Sequence, residues 1–254
     1  MTWVENLILS VIEGITEYLP ISSTGHLMMA GEVMKLDPTK IDTYIISIQF
    51  GAILAVVAAY PGRFFSFKDT SFYLKLFAGF LPAALLGLMF DEFLEKLLQT
   101  PYIVGFTLII IGFFLLFMEK LLPEGKKTVD EVTYKDALKI GLVQSFAMIP
   151  GVSRSAASIA GALGCKLSRV AATEFSFFLA VPTLSAAGLY KLMKNWDKLT
   201  TTQLEDIALG NIFSFVTALI AIRFFIQLVK NKGFAWFGYY RIAVGLAFLL
   251  YLYL

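Results

Sequence analysis

Apolar stretches of membrane-spanning length recur along the chain, at residues 42–60, 72–90, 101–118, 170–190, 208–229 and 234–254. Each approaches the roughly 20 residues that cover a ~30 Å hydrocarbon core. With 58% hydrophobic and 16% charged residues, the chain is too apolar for a soluble globule, which predicts an all-α polytopic membrane protein. Two further apolar regions, 3–36 and 134–167, are broken by Pro20-Ile-Ser22-Ser23-Thr24-Gly25 and by Pro150-Gly-Val-Ser153-Arg154-Ser155. Each reads as a re-entrant helix–turn–helix hairpin that enters and leaves on one face. Irregular backbone at that depth is tolerated only where protein or a wet cavity surrounds it.

The chain also repeats itself. Pro20 and Pro150 lie 130 residues apart and Asp42 and Glu174 lie 132 apart. Ala-Leu-Leu-Gly-Leu from Ala84 resembles Ala-Leu-Ile-Ala-Ile from Ala218, and Gly112 corresponds to Gly245. The expected division is a first repeat over 1–120, a polar linker over 121–133 and a second repeat over 134–254. Each repeat would carry one re-entrant hairpin and three spans, six transmembrane helices in all. Three crossings are an odd number, so the second repeat is inverted, an architecture that recurs in transporters. This topology gathers most Lys and Arg on one face, leaving Lys35, Lys40, Lys96, Lys191, Lys194 and Lys198 on the other. The richer face is then cytoplasmic and both termini face outward.

Several classes fall away. A net charge of +2 without a clustered basic face does not suggest nucleic acid. The lone Cys165 excludes an intrachain disulfide and a cysteine-rich metal site. Met1-Thr-Trp-Val-Glu-Asn has no basic n-region, so no cleaved signal peptide is expected. Neither a His-Glu-x-x-His zinc motif nor a phosphate-binding P-loop occurs. A single histidine, His26, rules out the two-histidine, vanadate-type lipid phosphatases.

The polar residues left in the apolar regions carry the chemistry. Glu13 and Glu17 share one face of a helix. At low dielectric they repel unless a cation, an arginine or a shared proton intervenes. They read as a divalent-cation or phosphate site, or more plainly as a helix end at headgroup level. Pro20 followed by Ser22, Ser23 and Thr24 suits a helix start, and helix N-termini attract phosphate. Ser23 and His26, three apart, can point the same way and pair a nucleophile with a base. In the second turn, Arg154 between Ser153 and Ser155 needs an anionic partner. Its planar fork suits phosphate oxygens, or Glu13 or Glu17 in the empty site. Gln49 reads as a packing hydrogen bond, Asp42 and Glu174 as interface markers, and Arg223 and Arg241 as snorkelling side chains.

Taken together, Glu13-Gly-Ile-Thr-Glu17-Tyr-Leu-Pro-Ile-Ser-Ser-Thr-Gly-His26 and Pro150-Gly-Val-Ser-Arg-Ser155 resemble the signatures of the undecaprenyl-diphosphate phosphatase family, also called bacitracin-resistance proteins. The resemblance spans nearly the whole length. Ser158 departs from it, since the family commonly has Thr there, but a hydroxyl survives. The resemblance implies a bacterial plasma-membrane enzyme that recycles the lipid carrier of cell-wall synthesis. It would hydrolyse undecaprenyl diphosphate to the monophosphate and inorganic phosphate, at a site open to the outer face, with a divalent cation.

On this reading the polyprenyl tail lies among membrane lipid between helices while the diphosphate enters a pocket where the two hairpins meet. Glu13 and Glu17 hold Mg²⁺ or Ca²⁺, Arg154 stabilises the transferred phosphoryl group, and Ser22, Thr24, Ser153 and Ser155 bind phosphate. Ser23 is the expected nucleophile with His26 moving its proton. A phosphohistidine at His26 and direct attack by water stay open. A flippase or ion-coupled transporter is the rival from another class, and a second copy of the chain is an admissible partner. The shared-site proposal requires Arg154 within reach of Glu17, His26 and Ser23.

Overall fold

The computed structural model describes every residue except 37, 67–68, 99 and 197–199, and it leaves out the side chains of 38–42, 92, 95, 96 and 98. Asp42, Lys40, Lys68, Lys96 and Lys198 therefore lie outside the described residues and side chains. In chain order the helices are α1 (Trp3–Thr16), α2 (Ser23–Val33), α3 (Pro38–Ala59), α4 (Pro61–Phe64), α5 (Thr70–Met89), α6 (Asp91–Leu98) and α7 (Pro101–Leu121). There follow α8 (Tyr134–Gln144), a 3₁₀ turn (Ser145–Met148), α9 (Arg154–Gly164), α10 (Arg169–Asn195), α11 (Thr201–Lys232) and α12 (Ala235–Tyr253). Among the described residues there is no strand, only an isolated bridge between Lys127 and Leu167.

Local chemistry sets these boundaries. The first hairpin opens on a capping box, in which Thr2 Oγ1 accepts from Glu5 N at 3.2 Å and Glu5 Oε2 accepts from Thr2 N at 2.7 Å. The second opens the same way, with Thr133 and Asp136 bonded reciprocally at 3.1 Å. Such boxes satisfy two orphan donors of a helix start at once. Pro61 and Pro101 stand in the first turns of α4 and α7, where a missing N–H costs nothing.

Among the described residues five helices, α5, α7, α10, α11 and α12, are long and apolar enough to cross a membrane, and the described apolar part of α3, Thr43–Ala59, is shorter. Large apolar side chains such as Phe77, Ile110, Phe113, Ile220 and Leu246 are exposed along them, as suits helices solvated by lipid. The protein is an all-helical, polytopic membrane protein. Its main core gathers Phe175, Phe177, Phe178 and Phe225 with Tyr18 and Val56.

Packing brings the broken segments inward. α1 lies on α11 and α8 on α5, while α10 packs on α3 and α9. The most extensive helix pair is α7 with α12, and small residues allow it. A Cβ at Gly238 would stand 2.7 Å from the Gly112 carbonyl oxygen, and one at Gly112 would stand 3.0 Å from that of Gly238. In lipid, close backbone approach of this kind drives helix association, because apolar burial gains little. This pair matters for the site because α12 carries Tyr240 and Arg241.

Candidate active site

The first turn is built to expose polar groups at depth. Along α1, Asn6, Ser10, Glu13 and Glu17 recur at helical spacing and all are buried. The chain leaves α1 through Tyr18 and Pro20 and re-enters helix at Ser22, which sits at φ 72°, ψ 92° and caps α2 by accepting from Gly25 N at 3.2 Å. The second turn ends alike. Ser153, at φ 81°, ψ 118°, caps α9 by accepting from Ala156 N at 3.3 Å. A positive φ is uncommon outside glycine, and such strain persists where the surroundings over-determine it.

The two turns meet. Ser23 Oγ donates to Glu17 Oε2 at 2.5 Å, and Arg154 Nη2 donates to Glu17 Oε1 at 2.8 Å. The same nitrogen reaches the Glu17 carbonyl at 3.3 Å, while Nη1 donates to the carbonyl and hydroxyl oxygens of Ser176 at 3.0 and 3.2 Å. The guanidinium lies over the Tyr18 ring, 5.6 Å from its centre, and Tyr18 is itself fixed by donating to the Ala52 carbonyl at 2.7 Å. A carboxylate thus bridges a buried hydroxyl and a largely enclosed cation, each bond charge-assisted. Glu13, a turn back along α1, is fully buried and neither carboxylate oxygen has a hydrogen-bond partner among the described residues. Acceptor-only oxygens in that position suit a cation or a proton shared with Glu17.

A cavity of about 600 Å³ opens onto this network. Its polar end is formed by Glu17, Ser22, Ser23, Thr24, Ser153 and Arg154. Met28, Ile45, Phe80, Ala83, Leu88 and Leu184 supply apolar wall, and Asp91, Tyr190 and Lys191 also line it. Gln49, read from the sequence as a packing residue, also lines the cavity, as does Gln144. Gln144 Nε2 donates to Thr183 Oγ1 at 3.2 Å, and Thr183 in turn donates to the Leu179 carbonyl at 2.7 Å. That leaves Gln144 Oε1 buried without a donor among the described residues.

Three of the site residues singled out in the sequence, Glu13, Ser155 and His26, do not line the cavity. Ser155 is fully buried behind Ser153, its hydroxyl 3.4 Å from the Ser153 hydroxyl, and it does not line the cavity. His26 leaves α2 on a flank away from the cavity lining. Its Nδ1 lies 2.8 Å from the Ser22 carbonyl oxygen and its Nε2 lies 2.8 Å from the Tyr240 hydroxyl, with the two rings stacked 5.6 Å apart and 5° from parallel. A carbonyl only accepts, so Nδ1 carries the proton and Nε2 accepts from Tyr240. Arg154, Glu17 and Ser23 therefore form one network, and no bond joins His26 to Ser23 among the described residues.

One residue corrects the sequence reading outright. Arg241 does not snorkel: it is fully buried. It donates to the carbonyls of Pro20 at 2.9 Å, Val152 at 3.3 Å and Leu108 at 3.4 Å, and to that of Gly151. A usable signal was present, since Arg241 lies six residues inside a helix that begins at Ala235, roughly 9 Å along its axis.

The model of the family described as bacitracin resistance protein BacA matches residues 6–247. Among curated relatives, the undecaprenyl-diphosphatase of Bdellovibrio bacteriovorus is 45% identical over 258 residues, covering 100% of this chain and 97% of that protein. The undecaprenyl-diphosphatase of Flavobacterium johnsoniae is 46% identical, with 98% and 96% covered. Undecaprenyl-diphosphatase 1 of Chromobacterium violaceum is also 46% identical, with 95% and 93% covered. With a shared signature over nearly its full length and a site assembled from both of its broken segments, the chain belongs to the bacitracin resistance protein BacA family.

Proposed function

We propose that the protein is an undecaprenyl-diphosphate phosphatase that releases inorganic phosphate and returns the monophosphate lipid carrier to cell-wall synthesis. The observation that carries this is the Ser23–Glu17–Arg154 network at the floor of a cavity with apolar walls. A nucleophile, a base and an anion-stabilising cation converge there beside space for a lipid tail. Ser23 Oγ attacks the terminal phosphorus while its proton passes to Glu17 Oε2. The bond to the bridging oxygen breaks, and polyprenyl monophosphate leaves carrying the proton back from Glu17. Water then attacks the phosphoserine and gives its proton to Glu17, the P–O bond to Ser23 breaks, Glu17 returns that proton to the Ser23 oxygen, and inorganic phosphate departs. Arg154 offsets charge on the transferred group throughout. This assigns the proton to Glu17 rather than to His26, because Glu17 holds the serine hydroxyl.

The orphaned oxygens of Glu13 fit a divalent cation, Mg²⁺ or Ca²⁺. Among the described residues no three His, Cys, Asp or Glu side chains cluster as a ligand set, so substrate phosphate oxygens would complete the coordination, as Mg²⁺ sites commonly arrange. When bound, the ion would neutralise phosphate charge. Ser22, Thr24 and Ser153 face the same end of the cavity as phosphate contacts.

The chain reads as an inverted repeat of six spans and two re-entrant hairpins. The paired capping boxes at Thr2 and Thr133 and the paired strained caps at Ser22 and Ser153, each 131 residues apart, support that reading. So do Lys35 and Lys166, both at positive φ. The same reading puts the enzyme in the bacterial inner membrane with its cavity open to the outer face, and Lys191, expected on that face and part of the cavity lining, supports it. Phosphate release by purified protein in detergent, where no gradient exists, tests the hydrolase. Turnover abolished by Glu17→Gln supports it, and tight lipid binding without turnover would favour a carrier.

A further inference from the structure

We infer that Tyr240 and Arg241 on α12 form a positioning clasp that holds the two turns of the active site in register, although neither residue lines the cavity. The inference rests on the hydrolase reading above and deepens it. Arg241 is a fully buried cation, and among the described residues no carboxylate pairs with it. An unpaired charge at that depth is costly unless polar groups replace its hydration. Here the replacement is a set of backbone carbonyls from both turns: Pro20 in the first, Gly151 and Val152 in the second.

Those carbonyls flank the strained residues. Val152 immediately precedes Ser153, and Pro20 lies two residues before Ser22. The Ser22 carbonyl is held separately, by His26 Nδ1, and Tyr240 holds His26 from the other side. The second turn has one more anchor, because Thr107 Oγ1 donates to the Pro150 carbonyl at 2.7 Å. Left-handed serines at 72° and 81° persist only if their neighbours fix them, and two adjacent residues of α12 supply that fixing to both at once. Ser23 and Arg154 each follow a strained cap directly. A shift of either turn would therefore separate Ser23 from Glu17, or Glu17 from Arg154. His26 acts in this account as a link in the clasp, and its ring never meets the substrate.

The test is steady-state phosphate release from undecaprenyl diphosphate in detergent, with Tm measured on each variant. Arg241→Lys keeps the charge, but one ammonium cannot span the same carbonyls. Its kcat should fall about 10²-fold, the scale of a 1 Å misplacement, with KM unchanged. Tyr240→Phe removes only the hydroxyl and keeps the stacked ring, so kcat should fall about tenfold at unchanged Tm. His26→Phe should match that loss, and the double variant should lose no more than either, because the two act through one link. The clasp is overturned if folded Arg241→Lys keeps wild-type kcat, or if its loss appears in KM. It is also overturned if His26→Phe abolishes turnover while Tyr240→Phe leaves it intact. Should Arg241→Lys fail to fold, the Tyr240 and His26 comparison decides alone. Failure of the wild type to release phosphate would sink the hydrolase, and the clasp with it. Wild-type turnover matched by the variants would sink only the clasp.

Discussion

Glu17→Gln separates what the central carboxylate does for folding from what it does for chemistry. The Glu17 and Arg154 side chains are 4% and 10% exposed and 2.8 Å apart, so the pair belongs to the buried regime rather than to the surface one. At an effective dielectric of about 20, two unit charges at that distance interact by about 6 kcal/mol. Breaking such a pair from one side typically costs about 3–5 kcal/mol, because the partner is left as an uncompensated charge. Glu17→Gln should therefore lower stability by about that amount, even though its shape and the Ser23 contact can survive. Catalysis should fall by about 10²–10⁴-fold through loss of the base. Adding Arg154→Met removes the orphaned cation, so the double variant should recover most of the stability and none of the activity. Tm in detergent and phosphate release read the two effects separately. A double variant as unstable as Glu17→Gln alone would refute the ion-pair reasoning, and retained turnover in Glu17→Gln would refute its role as base.

Other outcomes follow from the same geometry. Gln144→Leu removes a buried oxygen that has no donor among the described residues, so stability should rise by on the order of 1 kcal/mol, seen as a slightly higher Tm, while KM for the diphosphate lipid rises; an unchanged KM would take Gln144 out of the binding cavity. Gly238→Ala places a methyl against the Gly112 carbonyl and should cost about 1–3 kcal/mol, seen as a lower Tm, with activity lost in proportion as α12 moves. Outside the membrane, the Arg63 guanidinium beside Asp130 holds that carboxyl below its ordinary range. Its stabilisation is therefore present above the unfolded carboxylate pKa and lost as pH falls through the folded one. Both side chains are well exposed, at 36% and 66%, so the pair is worth at most about 1 kcal/mol. Asp130→Asn should change Tm little at pH 7 and remove only part of the decline seen below about pH 4; a large loss at neutral pH would contradict this.

Much of the site was legible in the sequence because low dielectric leaves few options. Carboxylates and an arginine at membrane depth needed counter-charges, and proline followed by serines marked both helix starts, so the meeting of the two turns was legible, though not that Glu17 rather than Glu13 takes Arg154. The serine caps were legible as caps, though not their left-handed φ, which depends on what packs behind them. His26 was misplaced for a specific reason. A three-residue spacing puts Ser23 and His26 near one face, but it cannot say that a tyrosine on α12 captures the ring. Arg241 was misjudged because charge near a span end ordinarily reaches water, although its depth within the last span pointed the other way. Gln49 and Gln144 show the same limit, since lining a cavity is a property of several helices together.

The proposed hydrolysis turns on Ser23 attacking phosphorus with Glu17 as its base. Its most direct test is to quench wild-type protein in acid during turnover of substrate labelled in the terminal phosphate, then to locate the label by peptide mass spectrometry. Label on Ser23, and its absence in Ser23→Ala, is the predicted result. Label on His26 instead would contradict it.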